Sequence, residues 1–361
     1  MKRCSHQQKL QKKRTSGKDE KKILIVTRQA GAVSAFFPLL KEFEARNWRY
    51  TILASDASYN IWSDLKILPD GKATVDQVDI TPFNIILTGT SLKVSDDALF
   101  WKEGEKNDIP TVAFVESWTN YAERFTVNVP FDSTPNYIFV VDELMFNRLK
   151  EEGTSDEKLR VVGHPRFDHL YQLTQNRKKL CNNSHKKHIV FYTDPVLINI
   201  DNIEEVAGYS AEKVVESVLT QFEKSSSKYR ITVKPHPRES LLKYQSIISK
   251  LNMGSVASVS RQDPIELMMT ADVVFGMNSI LLIDSAILQI PTFSFQPNRT
   301  ENRNDITDRN GIIVITRWDG IFAIKKRMVD CFQKTDEKRV ICYHKAAENF
   351  IAQLTTIAKQ K

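Results

Sequence analysis

Residues Ile23 to Arg46, ILIVTRQAGAVSAFFPLLKEFEAR, decide the architecture of this chain. The opening ILIVT is an unbroken aliphatic run with no alternation, the pattern of a strand buried on both faces, and such strands belong to parallel sheets. After Gly31, the run from Val33 to Arg46 spaces apolar residues as a helix does, with Pro38 tolerable near the first turns or as a kink. Strand, turn and helix in this order form the unit from which α/β folds are built.

The unit repeats along the chain. Further strands are expected at Arg49 to Ala54, Asn84 to Thr88, Thr111 to Val115, Tyr137 to Val141 and Leu159 to Gly163. The segment Gln172 to Lys187 (QLTQNRKKLCNNSHKK) is polar, basic and without periodicity, as an interdomain connection is. Strands resume at His188 to Thr193, Tyr229 to Lys234, Ala271 to Gly276, Pro291 to Phe295 and Ile312 to Thr316, and two helices, about Gly320 to Phe332 and His344 to Lys359, close the chain. The expectation is two doubly wound, Rossmann-like halves facing a cleft: residues 23–171, a linker at 172–187, and 188–361 with the closing helices.

Composition narrows the function. The 361 residues suffice for two domains, each with its own core. No run of eighteen apolar residues occurs and the N-terminus has no apolar signal region, so a cytoplasmic protein is expected. Cys4, Cys181, Cys331 and Cys342 lie far apart, without metal-ligand spacing, which argues against a disulfide framework or a zinc site. The formal charge of +7 first suggests nucleic acid, but Met1 to Lys22 carries nine Lys or Arg against Asp19 and Glu20 and accounts for all of it. The remaining chain is balanced, and no nucleic-acid partner is expected. The tail, residues 1–22, is expected to be disordered, either a solvated extension or a peripheral contact with an anionic surface such as the inner membrane face.

Ligands in open α/β sheets bind beyond the carboxyl ends of the strands. In YRITVKPHPRES, Tyr229 to Ser240, a strand ends in Lys234, His236 and Arg238 around two prolines that stiffen the backbone. The bend offers donors for a phosphate; a surface turn is the plainer alternative. In GMNSILLIDSAILQIP, Gly276 to Pro291, a buried strand breaks and Asn278 or Ser279 is expected to cap an apolar helix interrupted by Asp284 and Ser285. In the first half, Glu116 closes the strand Thr111 to Val115 as a candidate general base, or pairs with Arg124 to order the aromatic loop. Arg28 and Gly31, in a loop with too few glycines for a dinucleotide fingerprint, are further cleft candidates.

The KPHP bend (Lys234 to Pro237) with the Asn278-Ser279 helix start resembles the C-terminal half of GT-B-fold glycosyltransferases, in particular the CDP-glycerol glycerophosphotransferase and capsule polysaccharide (sialyl)transferase families. VVGHPRFDHL, Val161 to Leu170, also looks like a stretch that closes the first domain there and, more distantly, in nucleotide-sugar 2-epimerases; it adds His164 and Arg166 as cleft candidates. The resemblance implies that His236 meets the donor phosphates or leaving nucleotide, Ser279 the phosphates, and Asp284 or Ser285 the ribose side. One of two expected serines is replaced, since Ile280 follows Ser279. The activity implied is that of a transferase moving a sugar or polyol phosphate from a nucleotide-activated donor to a hydroxyl acceptor, a glycan or polymer. No cofactor is expected beyond the donor substrate, and no metal, because no DxD motif stands at a strand end and cations can stabilise the leaving phosphates.

Two alternatives remain. A 2-epimerase is disfavoured because the segments where those enzymes place an Asp and a His-Arg-Arg-Glu stretch read LTGTS (Leu87 to Ser91) and YTDPV (Tyr192 to Val196). A non-catalytic nucleotide-sugar-binding partner is the other.

Overall fold

The computed structural model describes residues 20–55, 57–91, 96–121, 123–126, 134–177, 186–194, 209–225, 227–299, 304–333 and 345–359. The basic tail up to Asp19 and most of the Gln172 to Lys187 segment lie outside them. The strands of the first sheet are β1 (Lys22–Thr27), β2 (Arg49–Ala54), β3 (Gly71–Lys72), β4 (Ile85–Thr88), β5 (Thr111–Val115), β6 (Tyr137–Val140) and β7 (Leu159–Val161). Between and beyond them run α1 (Ala30–Ala45), α2 (Ala57–Asp64), α3 (Asp96–Lys106), α4 (Glu123–Thr126), α5 (Glu143–Glu151) and α6 (Pro165–Arg177). The second sheet comprises β8 (Lys187–Tyr192), β9 (Tyr229–Lys234), β10 (Ala257–Val259), β11 (Val273–Gly276), β12 (Thr292–Phe295) and β13 (Ile312–Ile315). Its helices are α7 (Ala211–Thr220), α8 (Leu241–Lys250), α9 (Pro264–Met269), α10 (Leu281–Ile287) and α11 (Ile324–Gln333), and α12 (Ala346–Ile357) ends the chain.

Every strand pair is parallel, and the sheet orders are β3-β2-β1-β4-β5-β6-β7 and β10-β9-β8-β11-β12-β13. Both are doubly wound, and the direction of winding reverses between β1 and β4 in one and between β8 and β11 in the other. At such a reversal the loops leave in opposite directions and open a crevice at the strand ends. The aliphatic run that opens the chain behaves as expected: Ile23, Leu24, Ile25 and Val26 are wholly buried, because helices cover a parallel sheet on both faces. α1 starts at Ala30, earlier than the spacing suggests, so Pro38 stands well inside the helix rather than near its first turns.

The chain divides into two compact units, residues 1–166 with 345–361, and residues 167–344. Two expectations change here. The division falls at the start of α6, and that helix continues through Gln172, where the linker was expected to begin. The last helix, expected in the second half, belongs to the first unit: Phe350 of α12 meets Phe36, Phe114 and Phe139 with ring centroids 6.3, 5.4 and 5.0 Å apart. Gly163 admits it, since a Cβ there would lie 2.6 Å from the Ala346 Cβ and its φ of 84° disfavours any other residue.

The second unit's core centres on Phe191, Phe275, Phe293 and Phe295, with Phe275 edge-on to Phe293 and Phe295 at 5.4 and 5.3 Å. At the amino end of β8, His188 is buried with Nε2 2.9 Å from Thr232 Oγ1 and Nδ1 3.1 Å from both the Thr270 carbonyl and Arg230 Nη2. Burial first, then Arg230, pushes its pKa down to about 4. The unfolded chain takes up this proton near the ordinary value of about 6.5, so stability is complete above that and is lost as pH falls towards 4. About 3 kcal/mol of acid lability is expected from this residue alone. Urea denaturation at pH 7 and 4.5 should show a smaller loss for His188→Gln than for the unaltered protein.

Candidate functional site

Both reversal points carry the polar side chains singled out in the sequence. In the second unit β8 lies between β9 and β11, with Tyr192 opposite Lys234 and Phe191 opposite Phe275, so the three strand ends adjoin. The bend after β9 is fastened through its backbone. The His236 amide donates to Thr193 Oγ1 at 3.1 Å and Glu239 Oε2 at 3.2 Å, and the Glu239 amide donates to the His236 carbonyl at 2.8 Å. Glu239 is the anchor, for its carboxylate also accepts from the Thr193 hydroxyl and, at 2.6 Å, from the Tyr244 hydroxyl of α8. Lys243 Nζ stands 3.6 Å from it.

The side chains of the bend, by contrast, are left available. Among the described residues Lys234 Nζ reaches only its neighbouring Pro235 carbonyl, at 3.4 Å, and none pairs with Arg238. His236 Nδ1 accepts the Arg238 amide at 3.2 Å, which places the ring proton on Nε2 as a donor. Burial, with Arg238 and Lys234 adding to it, lowers the His236 pKa against the opposing pull of Glu239. The bend therefore presents two cations and one neutral N–H donor at pH 7, rather than three charges.

After β11 the expectation changes. α10 has seven residues, its cap is Ile280 in a helical conformation, and no side chain caps it. Ser279 Oγ only approaches the Leu281 amide, at 3.4 Å, while the Ser279 carbonyl accepts the Leu282 amide at 3.0 Å. Asn278 does not cap the helix; its Oδ1 is buried and accepts no hydrogen bond from a described residue. Ser285 is wholly buried and bonded to the Leu282 carbonyl and to Thr292 Oγ1 of β12, so it joins helix to sheet and cannot meet a ribose. Asp284 is equally buried, and its charge helps raise the pKa of the Tyr192 phenol. Both are thus withdrawn from the open strand ends.

In the first unit Glu116 leaves β5 into the crevice beside β4. It is 7 % exposed, accepts from Thr90 Oγ1 at 3.2 Å and stands 3.9 Å from Arg124 Nη1, which itself donates to Thr90 Oγ1 at 3.1 Å. The sequence offered Glu116 as a base or as the partner of Arg124, and the structure shows the contact with Arg124, which is compatible with either role. Burial raises its pKa, and Arg124 opposes the rise without reversing it. Gly31 serves this carboxylate: a Cβ there would fall 2.4 Å from Glu116 Cγ, so the room expected for a ligand is filled by the side chain. Arg28 is half-buried after β1, and its carbonyl accepts the Ser58 amide at 3.3 Å. His164 lies in the core, 2 % exposed, edge-on to Phe114 at 5.5 Å, and burial holds it neutral. Its Nδ1 accepts the Arg166 amide at 3.3 Å, so the Gly163 to Arg166 stretch is a structural corner.

Sequence reasoning passed over Thr193, Asp194, Tyr244 and the anchoring role of Glu239. Thr193 and Asp194 follow a strand directly, and that position was the available signal; their coupling to Glu239 depends on the pairing of β8 with β9. Among the described residues no three of His, Cys, Asp and Glu converge as a metal-ligand set, and no helix is long and apolar enough to cross a membrane.

No family model matches the chain, and no curated protein matches it. Solved structures do. A UDP-GlcNAc 2-epimerase from Neisseria meningitidis, bound to UDP-GlcNAc, is 12 % identical with a TM-score of 0.65, covering 93 % of this chain and 99 % of its own. A glycosyltransferase from Rickettsia africae is 11 % identical with a TM-score of 0.55, covering 95 % and 94 %. A variant of the wall teichoic acid polymerase TagF is 13 % identical with a TM-score of 0.56, covering 94 % and 90 %. At these identities the likeness is one of fold, and the fold is the GT-B type used by nucleotide-sugar epimerases and glycosyltransferases.

Proposed function

We propose that this chain is a glycosyltransferase-type enzyme that moves a sugar or a polyol phosphate from a nucleotide-activated donor to a hydroxyl acceptor in surface polysaccharide or glycoconjugate synthesis. The observation that carries the reading is the bend after β9. Its backbone is secured to Thr193 and Glu239 while Lys234, the His236 Nε2–H and Arg238 have no acceptor among the described residues beyond one carbonyl. Two cations beside a neutral N–H donor at a strand end suit the phosphates of a donor and the charge that grows on a leaving nucleotide. The unpartnered Asn278 Oδ1 beyond β11 suits a ligand N–H or O–H. Glu116 takes the acceptor proton, its raised pKa bringing it closer to neutrality, where a general base is most effective.

A 2-epimerase is the second reading, favoured by the epimerase among the solved structures of this fold and by a protonatable carboxyl at Glu116. A thermal-shift panel of CMP, CDP, UDP and their sugars identifies the nucleotide, since a ligand at 100 times its Kd stabilises by about 2.7 kcal/mol. Incubation of the best donor with an acceptor extract then separates the readings. Free nucleotide with a lengthened acceptor supports transfer, inversion at C2 supports epimerisation, and binding without turnover leaves a nucleotide-sugar-binding partner.

A further inference from the structure

Glu239 is an anion built into a bend that presents cations. Its side chain is only 5 % exposed, so its oxygens face protein donors rather than water. Oε2 accepts the Thr193 hydroxyl and, at 3.2 Å, the His236 amide, while Oε1 accepts the Tyr244 hydroxyl at 2.6 Å with Lys243 Nζ 3.6 Å away. Thr193 doubles the hold. Its Oγ1 receives the same His236 amide at 3.1 Å, and its own amide donates to the Lys234 carbonyl at 3.1 Å. The turn closes where the Glu239 amide meets the His236 carbonyl at 2.8 Å, and inside it the Arg238 amide fixes His236 Nδ1 at 3.2 Å. Thr193 and Tyr244 are buried, and this carboxylate is the acceptor for both hydroxyls.

We propose that Glu239 and Thr193, with Tyr244 seating the carboxylate, are positioning residues of the phosphate site: their oxygens hold the His236 backbone so that the His236 Nε2–H and Arg238 serve one anion together with Lys234. This inference rests on the reading of the bend after β9 as that site. The roles open to Glu239 predict different signs. Were it only a charge, it would repel a phosphate, and its removal would strengthen binding whatever the geometry. Were it only an acceptor for buried hydroxyls, its removal would lower stability and leave affinity unchanged. As a positioning residue it raises affinity for an anion although it is itself an anion. Without it the His236 amide keeps a single acceptor, the bend loosens, and the order that the protein no longer supplies must be restored on binding.

The test uses inorganic pyrophosphate, which offers the phosphates without a nucleoside. Its affinity for the full chain is measured by titration calorimetry at neutral pH and constant ionic strength, with the melting temperature of every variant recorded beside it. Glu239→Leu removes charge and acceptors together, and is expected to weaken binding about 10- to 100-fold, the contribution of one charge-assisted hydrogen bond. Glu239→Gln removes the same charge but keeps an acceptor for the His236 amide, while the Tyr244 oxygen can accept the new N–H. It should bind at least as tightly as the unaltered protein. Opposite results from two variants that lack the same charge separate geometry from electrostatics. Unchanged or tighter binding by Glu239→Leu overturns the positioning role alone, as does a loss in Glu239→Gln that matches the loss in Glu239→Leu. If Glu239→Leu does not fold, Thr193→Val decides in its place, since it takes only Oγ1 from the hold; a loss of about three- to tenfold is expected, and unchanged affinity overturns the role. Absence of pyrophosphate binding, or binding that Lys234→Ala/Arg238→Ala leaves unchanged, overturns the phosphate site as well.

Discussion

Replacing Glu116 with Gln is expected to cut turnover about 100- to 10,000-fold while the protein stays folded and binds its nucleotide donor normally. The amide keeps the shape that fills the space against Gly31 and can still accept from Thr90 Oγ1, so the loss isolates proton transfer from packing. Removing a buried carboxylate also removes its desolvation cost, which offsets the loss of the 3.9 Å contact with Arg124. In the unaltered enzyme the acid limb of the kcat profile should lie above the ordinary carboxylate range, since burial raises the Glu116 pKa. Turnover by Glu116→Gln within tenfold of the unaltered rate would leave Glu116 a purely structural partner of Arg124.

The second large effect concerns the bend after β9. A charge-assisted hydrogen bond contributes about 1.5 to 3 kcal/mol. Lys234→Ala with Arg238→Ala is therefore expected to weaken nucleotide binding by about 3 to 5 kcal/mol, somewhat less than the sum because both cations serve one anion. Stability should change little, because among the described residues neither side chain has an acceptor beyond the Pro235 carbonyl. Residual binding should also lose much of its salt dependence. Melting temperature and affinity, measured on the same preparation, separate the two consequences.

Much of the fold is legible in the sequence, because a strand buried on both faces must be almost wholly apolar, and ILIVT and TVAFV announce themselves by that rule. β3 and β10 escape it: they are edge strands of two and three residues, too short for any periodicity. The destination of α12 escapes for a different reason. Its apolar face of Phe350, Ile351, Leu354 and Ile357 would suit either sheet, and the choice rests on the corner at Gly163, far away in the chain.

The candidate site divides along the same line. Lys234, His236 and Arg238 are legible because strand end, prolines and cations coincide within one short segment. Ser285 misleads, since only the register of β12 against α10 puts Thr292 Oγ1 within 2.8 Å of its hydroxyl. Gly31 is legible as a point of close approach, but the approaching group, Glu116, comes from a strand far along the chain. His236 reads as a near-cation from its neighbours, while the amide of Arg238 on Nδ1 and the burial of the ring keep it neutral.

The central claim is that the bend from Lys234 to Arg238 binds the phosphates of a nucleotide. Titration calorimetry with UDP and with uridine, on the unaltered protein and on Lys234→Ala/Arg238→Ala, tests it most directly, because the two ligands differ only in the diphosphate. UDP is expected to bind the unaltered protein at least 100-fold more tightly than uridine, and most of that difference should vanish in the double variant. Equal affinity for UDP in the two proteins, with both folded, would contradict the account.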